Sequence, residues 1–573
     1  MTSGEPASDG PARPGVGRPR RAAWAVAAAL AAVGAIVAGA LLLGRGGPAA
    51  PTVALGAPHY VEETGTAGLV HTYDGGPTFF TGGGVAVLDC DEDGRPDIYV
   101  AGGSNPAALF RNESPVGGSL RFVPVPAATT DLTGVTGAYP LDVDGDGHVD
   151  LAVLRVGETE LLRGLGGCVF ERANERWGFA APTGWTTAFS ATWEGDATLP
   201  TLALGSYVTL DAAGKPTFDC GTNALYRPAA GGATYAAPEP LAPGYCTLSM
   251  LFSAWDGSTR RDLRVTNDRH YYADGSDQLW RMDPGAAPRA YTADDGWVSM
   301  QIWGMGIASQ DITGDGLPEV YLTSQGDNKL QTLLSGPAQP TYRDIALKRG
   351  VNAAAPFTGG DTLPSTAWHP EFEDVNNDGF LDLFVSKGNV SEAPDFASRD
   401  PSNLFLGQPD GTFIEGAGDA GILNFARARG ASLADLNLDG LPDLVLVNLG
   451  EPVRVWRNAG GGTEQAPAAM GGWIAVHVAQ PGPNRDAIGA VVEVRIGEAV
   501  VHRELVVGGG HIGGRLGPVH AGLGSASRAE VRVTWPDGAV GPWLPVEANR
   551  FLDVERGSTS AVPWAPGALQ AGG

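Results

Sequence analysis

The sequence predicts an all-β fold, a seven-bladed β-propeller followed by a small β-rich domain, and two observations predict it. The 573 residues include 84 Gly and 43 Pro, spread without a three-residue period, a composition that favours many short strands and turns over helices. A carboxylate-rich loop that precedes a short apolar strand also recurs along the chain, and repeats of this kind are typical of propeller blades.

The net charge limits the kinds of partner that the chain can bind. The chain carries 64 acidic and 38 basic residues, which gives a charge of −26. Binding a polyanion needs a basic surface, so this balance excludes a nucleic-acid partner, and it argues against peripheral attachment to anionic lipid. The hydrophobic share of 43% and the 14 Trp are too high for a generally disordered chain.

Residues 22–44 form an uncharged stretch between Arg21 and Arg45, which is long enough for a transmembrane helix. Basic residues before this stretch predict a cytoplasmic N-terminus. We therefore predict a disordered cytoplasmic tail over 1–21, a single-pass signal anchor in the cell membrane over 22–44 and a linker over 45–57, with the main body outside the cytoplasm.

A cleaved signal peptide is the alternative interpretation of the same stretch. Ala38-Gly39-Ala40 fits a small-x-small cleavage site. In that case the protein is secreted rather than anchored, and the main body is again extracellular.

The chain has four cysteines and no C-x-x-C pair, which gives no support to a zinc knuckle or a thioredoxin-like site. In an exported chain an even number of cysteines predicts disulfides. The most local pairing is Cys90 with Cys168 and Cys220 with Cys246. Two other connectivities remain open from the sequence.

The strongest signal is a loop pattern with oxygen-bearing side chains at positions 1, 3, 5 and 9 and Gly at position 6. We number the loops by their order along the chain. The intact loops are loop 1 (Asp89, Asp91, Asp93, Asp97), loop 2 (Asp142, Asp144, Asp146, Asp150), loop 5 (Asp311, Thr313, Asp315, Glu319), loop 6 (Asp374, Asn376, Asp378, Asp382) and loop 7 (Asp435, Asn437, Asp439, Asp443).

This spacing predicts a hard-cation site in each intact loop. Oxygens on alternate residues of a tightly curled loop converge on one point, and Gly at position 6 permits the sharp turn. An EF-hand begins in the same way but needs a helix and a Glu at position 12, whereas position 12 of loop 1 is Val100, in a stretch that reads as strand. Flexible all-oxygen sites suit Ca²⁺ better than Mg²⁺ or Zn²⁺, so we predict about five Ca²⁺ ions. Acidic turns that merely face solvent are the alternative.

Two degenerate copies complete the array: loop 3 from Thr192 and loop 4 from Ala254. Both lack the position-1 carboxylate and the position-6 Gly, so we predict no metal there. The first positions then fall at residues 89, 142, 192, 254, 311, 374 and 435, at intervals of 50 to 63 residues. Seven such units predict seven blades, with an open solenoid as the alternative. A Gly stands five residues before the first ligand of four loops, at Gly84, Gly137, Gly306 and Gly430.

The C-terminal region alternates apolar and polar residues at Ile474–Val478, Val491–Ile496 and Val531–Trp535, the period of half-buried strands. We interpret Asn484–Asp486 as a structural turn. The glycine-rich stretch Gly508–Gly514, which contains His511, is interpreted as a mobile loop.

Three stretches carry a family resemblance. Thr81–Ala86 followed by the aspartate loop resembles the FG-GAP (VCBS-type) repeats also found in integrin α-subunit propellers. Asp262–Tyr272 resembles a segment of bacterial members of the cartilage acidic protein 1-like family. Asn484–Ala490 and Val531–Gly538 resemble the ASPIC/UnbV domain that follows such propellers.

The resemblance implies an FG-GAP/VCBS propeller over 58–465, an ASPIC/UnbV domain over 470–556 and a disordered tail over 557–573. It implies a secreted or anchored calcium-binding protein. Members with this domain also resemble accessory proteins of natural-product biosynthesis of the enediyne type.

For function we predict a non-catalytic module that binds an extracellular protein or glycan. The alternatives are the accessory role in natural-product biosynthesis and an enzyme with a site at the propeller axis. Asp268, Arg269 and His270 form the densest polar-aromatic cluster and would be the candidates for such an axial site. The sequence contains no HExxH, GxSxG, P-loop or dinucleotide motif.

Overall fold

The computed structural model describes residues 53–268, 275–463, 466–468 and 470–565. The predicted cytoplasmic tail over 1–21 and the anchor over 22–44 lie outside these residues. Within the described part of the chain, no helix is both long and apolar enough to cross a membrane.

Strands dominate the described residues up to Asn458, and they form seven antiparallel sheets. The first strand of the described residues is β1 (Tyr60–Glu62). Sheet 1 contains β2 (Val85–Leu88), β3 (Asp97–Val100), β4 (Ala108–Asn112) and β5 (Phe122–Pro124). Sheet 2 contains β6 (Val135–Leu141), β7 (Asp150–Arg155), β8 (Glu160–Gly164) and β9 (Phe170–Arg172). Sheet 3 contains β10 (Thr186–Thr192), β11 (Thr201–Ser206), and, after a hairpin of β12 (Val208–Leu210) and β13 (Pro216–Cys220), β14 (Asn223–Tyr226) and β15 (Glu239–Leu241).

The remaining sheets repeat this plan. Sheet 4 contains β16 (Thr247–Ser253), β17 (Asp262–Asn267), β18 (Gln278–Arg281) and β19 (Arg289–Ala290). Sheet 5 contains β20 (Gly304–Gln310), β21 (Glu319–Ser324), β22 (Lys329–Leu333) and β23 (Tyr342–Asp344). Sheet 6 contains β24 (Ala367–Glu373), β25 (Asp382–Lys387), β26 (Asn403–Gly407) and β27 (Phe413–Glu415). Sheet 7 contains β28 (Ala428–Ala434), β29 (Asp443–Asn448) and β30 (Arg454–Asn458). Short helices lie at Gly76–Phe79 and Ala293–Asp295 (both 3-10), α1 (Ala346–Arg349) and α2 (Ala417–Ala420).

The two ends of this array meet in sheet 7. Strand β1 pairs with β30, with Tyr60 opposite Asn458, so sheet 7 combines the first and the last strands of the array. The first strands of consecutive sheets contact one another, and β28 of sheet 7 contacts β2 of sheet 1. The arrangement is all-β and propeller-like, as the sequence predicts.

The first and second strands of the sheets are largely buried. All seven residues of β6, β10, β16 and β28 are buried. These strands are covered on both faces, so they do not show the alternating pattern of half-buried strands.

The C-terminal domain follows a hairpin of β31 (Gly461–Thr463) and β32 (Ala466–Ala468). Its strands are β33 (Gly472–Ala479), β34 (Val491–Ile496), β35 (Ala499–Glu504), β36 (Val507–Gly508), β37 (Val519–Gly524), β38 (Arg528–Thr534), β39 (Leu544–Glu547), β40 (Arg550–Glu555) and β41 (Val562–Trp564). Two four-stranded sheets, in the orders β37-β33-β40-β41 and β35-β34-β38-β39, enclose a core that includes Ile474, Val492 and Val531. The predicted alternation therefore marks real strands.

The prediction of a disordered tail from residue 557 is wrong for its first part. Val562–Trp564 form β41, which pairs with β40, and the Trp564 ring packs against Phe551 with ring centroids 4.8 Å apart. The aromatic contact and the strand pairing hold this segment on the domain. Residues 566–573 lie outside the described residues.

Residues 507–516, which we call the axial segment, leave the C-terminal domain and run between the first strands of all seven sheets. Its residues contact one residue in each of these strands, in order from sheet 1: Val87, Ala138, Ser190, Met250, Ile307, His369 and Leu433. The interpretation of this stretch as a mobile loop is wrong. His511 is fully buried, donates its backbone N–H to His369 Nδ1 (3.0 Å) and packs on Trp368.

The axial segment also explains two of the four repeated glycines. A Cβ on Gly84 or on Gly137 would lie 1.6 Å or 1.9 Å from the carbonyl oxygen of Ile512. These positions therefore accept only Gly, because the axial segment passes directly over them.

The four cysteines form Cys90–Cys168 and Cys220–Cys246 disulfides. This is the most local of the three connectivities, so that prediction is confirmed. The first disulfide joins loop 1 to sheet 2, and the second closes the hairpin side of sheet 3 onto the start of β16.

Candidate metal centres

Each intact loop joins the first strand of a sheet to the second. The position-9 carboxylate is the first residue of the second strand in every case: Asp97, Asp150, Glu319, Asp382 and Asp443. The strand fixes the backbone at that position, so the loop curls back toward a rigid acceptor. The spacing in the sequence thus translates into one repeated geometry.

The position-1 carboxylate and the position-6 Gly close the loop. The Gly N–H donates to a position-1 carboxylate oxygen at 2.7–2.9 Å in all five loops. The Gly φ angles lie between 83° and 92°, in the left-handed region that residues with a Cβ rarely adopt. The sharp turn predicted at position 6 is therefore present in each intact loop.

The position-9 carboxylate accepts backbone N–H groups from two directions. One oxygen accepts the N–H of position 2 at 2.6–3.1 Å in all five loops. In loops 1, 2, 6 and 7 the other oxygen accepts a backbone N–H from the end of the third strand at 2.7–2.8 Å. In loop 5 the Thr332 hydroxyl donates to Glu319 instead, at 2.8 Å.

Burial raises the pKa of most of these carboxyls. Loss of hydration is the first cause at position 9, and it raises the pKa of Asp97 and Asp150 to about 8 and of Glu319 to about 7. The neighbouring carboxylates of the same loop add to the effect. The backbone N–H groups oppose it but do not outweigh it. Negative charge at these buried positions is therefore unfavourable unless a cation compensates it.

The pKa values of the position-1 carboxyls are raised in the same way, except in loop 5. Burial raises the pKa of Asp89 and Asp142 to about 6 and of Asp435 to about 8. Burial would also raise the pKa of Asp311 in loop 5. There the ring of His502, which belongs to the C-terminal domain, and the N–H groups of the loop lower it below its ordinary value.

Loops 1 and 2 bring their predicted ligands together most clearly. Ligand atoms of Asp89, Asp91 and Asp97 lie within 4.8 Å of one another, as do those of Asp142, Asp144 and Asp146. These side chains supply the oxygen donors that hard cations take.

The position-3 carboxylates of these two loops each leave one oxygen unmatched. Asp91 Oδ1 and Asp144 Oδ1 are buried without a hydrogen-bond partner among the described residues. A buried carboxylate oxygen without a donor is unfavourable unless a cation meets it. The residues present therefore fit a bound metal ion.

The other intact loops differ in exposure. Loop 6 is the most enclosed, with all four predicted ligands buried and the Leu55 N–H donating to Asp378 at 2.7 Å. Loop 5 is the most open, because Thr313 and Asp315 are exposed. In loop 2, Arg163 already pairs with Asp144 (2.8 Å) and with Asp146.

A guanidinium occupies the degenerate loop 4. Arg260, at position 7, pairs with Asp256 (3.1 Å) and with the fully buried carboxylate of Asp262 (2.8 Å), the residues at positions 3 and 9. Tyr291 and Trp255 also donate to Asp262, each at 2.7 Å. Loop 4 thus contains a cation of its own.

Loop 3 also pairs its acidic residue with an arginine, but this arginine lies outside the loop. Arg227 in the segment after β14 pairs with Glu194 at 2.8 Å and with Glu239 at 3.2 Å. The sequence offers a signal for Arg260, which lies inside the loop spacing. It offers none for Arg227, which lies 33 residues from its partner.

The C-terminal domain lies against several loops, which sequence reasoning missed. His502 Nδ1 is 2.9 Å from Asp311 Oδ2 of loop 5. His520 Nε2 lies 2.6 Å from the Asn377 side chain in loop 6. A Cβ on Gly440 of loop 7 would overlap the Trp473 ring.

The polar cluster suggested for an axial enzyme site is described in part. Asp268 is buried and accepts a hydrogen bond from the Tyr207 hydroxyl at 2.6 Å. Arg269 and His270 lie outside the described residues.

Comparisons with known proteins bear on this architecture. Residues 89–153 match the family described as "FG-GAP-like repeat", and residues 480–561 match "ASPIC and UnbV". The chain carries an FG-GAP-like repeat and an ASPIC/UnbV domain. The resemblance predicted from the sequence is confirmed, with the repeat over loops 1 and 2 and the ASPIC/UnbV domain over the C-terminal sheets.

Curated relatives are cartilage acidic protein 1 of Homo sapiens and of Xenopus tropicalis. The human protein is 26% identical over 250 residues, which cover 41% of this chain and 33% of the relative. The Xenopus protein is 24% identical over 268 residues, 44% of this chain and 37% of the relative. The match therefore spans about a third of the length of these relatives.

Solved structures of low similarity include a complex of BBS1N with ARL6DN, an Agrocybe aegerita lectin that recognises non-reducing terminal N-acetylglucosamine, and the Dos1 propeller. Their TM-scores are 0.40, 0.38 and 0.32 at 10%, 15% and 11% identity. They cover 71%, 66% and 73% of this chain, and 98%, 92% and 97% of their own. These values are too low to transfer a ligand or a function to this chain.

Proposed function

We propose that the chain is an extracytoplasmic, membrane-anchored, calcium-binding β-propeller that acts as a non-catalytic binding module for a protein or a glycan. In this proposal the seven sheets are the blades of one closed propeller. About five Ca²⁺ ions, one in each intact loop, hold the first and second strands of five blades together.

The observation that carries the proposal is the repeated set of carboxylates at positions 1 and 9, whose pKa values burial raises in most of the loops. Positions 1 and 9 are held by backbone N–H groups in the same way in all five loops, while Asp91 Oδ1 and Asp144 Oδ1 have no partner among the described residues. Ca²⁺ takes six to eight oxygens in flexible geometry, which suits side chains at positions 1, 3, 5 and 9 and the carbonyl at position 7. When bound, the ion supplies the positive charge that each loop lacks.

The axial segment supports a binding role over catalysis. Central channels are common sites for ligands in closed β-structures, but here the chain's own residues 507–516 contact the first strand of every sheet. The side chain of His511 is fully buried, and a cavity of about 170 Å³ remains beside the axial segment. Loops and outer strand edges remain as the surfaces for a partner.

Two disulfides support an oxidising compartment for the main body. The anchor over residues 22–44 stays part of the proposal. Membrane fractionation of the producing cell tests it, together with N-terminal sequencing of the mature chain. A soluble protein that begins after Ala40 would replace the anchor with a cleaved signal.

The binding role is tested with the full chain on the surface of producing cells and on a glycan array. We expect binding with Ca²⁺ and its loss in EDTA, because the loops order the propeller edges. Binding that is equal in both conditions would contradict a calcium-dependent module. The accessory role in natural-product biosynthesis is a separate prediction, which the functions of the neighbouring genes test.

A further inference from the structure

Sheet 6 contains a lysine and an aspartate whose side chains are both fully buried. Lys387 is the last residue of β25, and Asp400 lies in the segment that leads into β26. Lys387 Nζ is 3.2 Å from Asp400 Oδ1. Lysine is almost never fully buried unless it is paired, and an amine held against a carboxyl group away from water can react with it as well as attract it.

The hydroxyl of Ser365 forms a triangle with these two groups. Lys387 Nζ donates to Ser365 Oγ at 2.9 Å, and Ser365 Oγ donates to Asp400 Oδ1 at the same distance. Ser365 is itself fully buried. Because a hydroxyl both accepts and donates, it can take a proton from the amine and pass another to the carboxyl oxygen.

The second oxygen of the Asp400 carboxyl is also held. Asp400 Oδ2 accepts the backbone N–H of Thr366 at 3.0 Å. A backbone N–H fixed in this way stabilises the negative charge that grows on the oxygen when the carboxyl carbon is attacked. The fold also brings the reacting groups together in advance, and well-oriented intramolecular reactions reach effective concentrations of about 10⁵–10⁸ M.

Burial favours the uncharged forms of both groups, which are the reactive forms. Loss of hydration is the first cause that lowers the pKa of Lys387, although Asp400 and Glu415 oppose it. Loss of hydration likewise raises the pKa of Asp400 against the opposing charge of Lys387. Only an unprotonated amine has the lone pair that attack requires, and a carboxylic acid is a better electrophile than a carboxylate.

We propose that Lys387 and Asp400 form an intramolecular isopeptide bond. Lys387 Nζ attacks Asp400 Cγ, a C–N bond forms, and the bond from Cγ to Oδ1 breaks. Ser365 accepts one proton from the nitrogen and donates its own proton to the Oδ1 hydroxyl, which leaves as one molecule of water. The step involves no change of oxidation state, so it needs no oxidant, reductant or cofactor.

The bond joins the end of β25 to the segment before β26 and closes a covalent ring that includes residues 388–399. Like a disulfide, such a cross-link restricts the unfolded chain, but a thiol reductant does not cleave it. This inference does not depend on the proposed metal binding of the loops, so either can fail without the other.

Tandem mass spectrometry of the purified full chain, digested with trypsin after both disulfides are reduced, tests the bond. Trypsin does not cleave after a lysine whose amine is acylated. We therefore expect residues 350–399 to stay in one piece and to be joined to residues 400–427, with a mass lower than the sum of the two by one water, about 18 Da. This measurement needs no variant, so it tests the bond even where a substitution impairs folding.

A second Lys–Asp pair provides a control within the same digest. Lys329 Nζ is 3.3 Å from Asp344 Oδ2, but the side chains are 20% and 33% exposed. Water reaches this pair and favours the charged forms, so we expect no bond there and normal cleavage after Lys329.

Two variants test the roles of the reacting groups. Lys387→Arg keeps a positive charge but removes the amine, and it should yield residues 400–427 as a free peptide of full mass. Ser365→Ala keeps both reacting groups but removes the proton relay. It should lower the linked fraction of freshly synthesised protein roughly tenfold or more.

Free peptides 350–387 and 400–427 at their full masses, from folded wild-type protein, would overturn the proposal and leave Lys387 and Asp400 as a buried ion pair. A loss of water at an Asp-Gly sequence, as in a succinimide, together with cleavage after Lys387, would overturn it too. Linked peptides from the Lys387→Arg variant would show that another residue supplies the amine. An equal linked fraction in Ser365→Ala would refute the relay.

Discussion

At the scale of single residues, the chain repeatedly places carboxylates where only a cation balances them. Asp150 is fully buried, accepts the N–H groups of Val143 and Gly164, and has its pKa raised to about 8 by loss of hydration. The spacing in the sequence predicts this residue as a ligand, because position 9 falls at the start of a strand. The contact of His502 with Asp311 in loop 5 was not predicted, because the two residues are far apart in the chain and a three-dimensional contact of this kind leaves no recognisable spacing.

Asp150→Asn should therefore cost more stability with calcium than without it. In Ca²⁺ the variant loses a ligand as well as an acceptor for one backbone N–H, and we expect the free energy of unfolding to fall by about 1–3 kcal/mol. In EDTA the variant still leaves one backbone N–H facing the amide NH2 group, but it relieves repulsion from the neighbouring carboxylates, so the loss should be smaller. Urea unfolding in both conditions measures this. Glu498→Gln, at an exposed position, is the control; equal effects of Asp150→Asn in both conditions would contradict a metal ligand.

His511 predicts a pH dependence of stability. Burial lowers its pKa to about 3 from the ordinary 6.5, and its neighbours Arg429 and His369 act in the same direction. The unfolded chain binds a proton below pH 6.5 that the folded chain does not bind until about pH 3. Stability from this group is complete above pH 6.5 and falls with pH by up to about 1.4 kcal/mol per unit.

We expect His511→Gln to lower stability at pH 7.5, through the lost packing on Trp368, and to flatten the decline between pH 6.5 and 4. Denaturant unfolding of both proteins across this pH range isolates the contribution of His511 to stability, because the other titrating groups are common to both proteins. Parallel pH profiles would show that His511 is already protonated in the folded state.

At the scale of elements, the intact and the degenerate loops differ in how they are closed. In the five intact loops the position-6 Gly N–H donates to the position-1 carboxylate, whereas loop 4 pairs Asp256 and Asp262 with its own Arg260. The missing position-1 carboxylate and position-6 Gly predict no metal in loops 3 and 4, and that stays a prediction. The pattern alone did not reveal that Arg227 and Arg260 pair with the acidic residues of these loops.

Arg260→Ala should leave the Asp262 carboxylate buried and unpaired. We expect the free energy of unfolding to fall by roughly 3 kcal/mol, to the same extent with and without Ca²⁺. Arg281→Ala is the matched control, because it removes an ion pair with Asp283 whose partners are both well exposed. That change should cost less than about 1 kcal/mol. Thermal unfolding compares the two; similar losses would mean that the loop 4 pair contributes no more than a surface pair.

The axial segment is a second element that the sequence pattern did not reveal. Periodicity identifies strands that pair along their length, but residues 507–516 touch seven different strands at one or two points each, so the segment reads as a glycine-rich loop. The repeated glycines form part of the sequence pattern, and the structure shows that Gly84 and Gly137 make room for this segment.

Gly137→Ala should displace the axial segment, because the added Cβ would lie 1.9 Å from Ile512 O. Overpacking of this kind costs about 1–3 kcal/mol. Amide hydrogen exchange of residues 507–516 should accelerate in the variant. Gly517→Ala, where nothing lies within 4 Å of the added atom, is the control and should leave exchange unchanged. Unaltered exchange in Gly137→Ala would show that the segment is not held by this close approach.

At the scale of the whole molecule, the repeat array and the C-terminal domain interlock. The sequence predicted both from their own periodicities, and the family comparisons support each separately. Their joint packing depends on contacts such as that of His502 with Asp311, between residues 191 positions apart, which no local pattern encodes. The net charge of −26 also takes on a structural meaning, since many of the acidic residues lie in the loops that the proposal assigns to metal ions.

The most direct test of the central claim is thermal unfolding of the full chain in saturating Ca²⁺ and in EDTA, with bound Ca²⁺ counted by equilibrium dialysis. Each loop filled at 100 times its Kd should contribute about 2.7 kcal/mol. We predict a markedly higher Tm in Ca²⁺ and about five bound ions per chain, one in each intact loop. The same Tm in both conditions, with no bound Ca²⁺, would contradict the account.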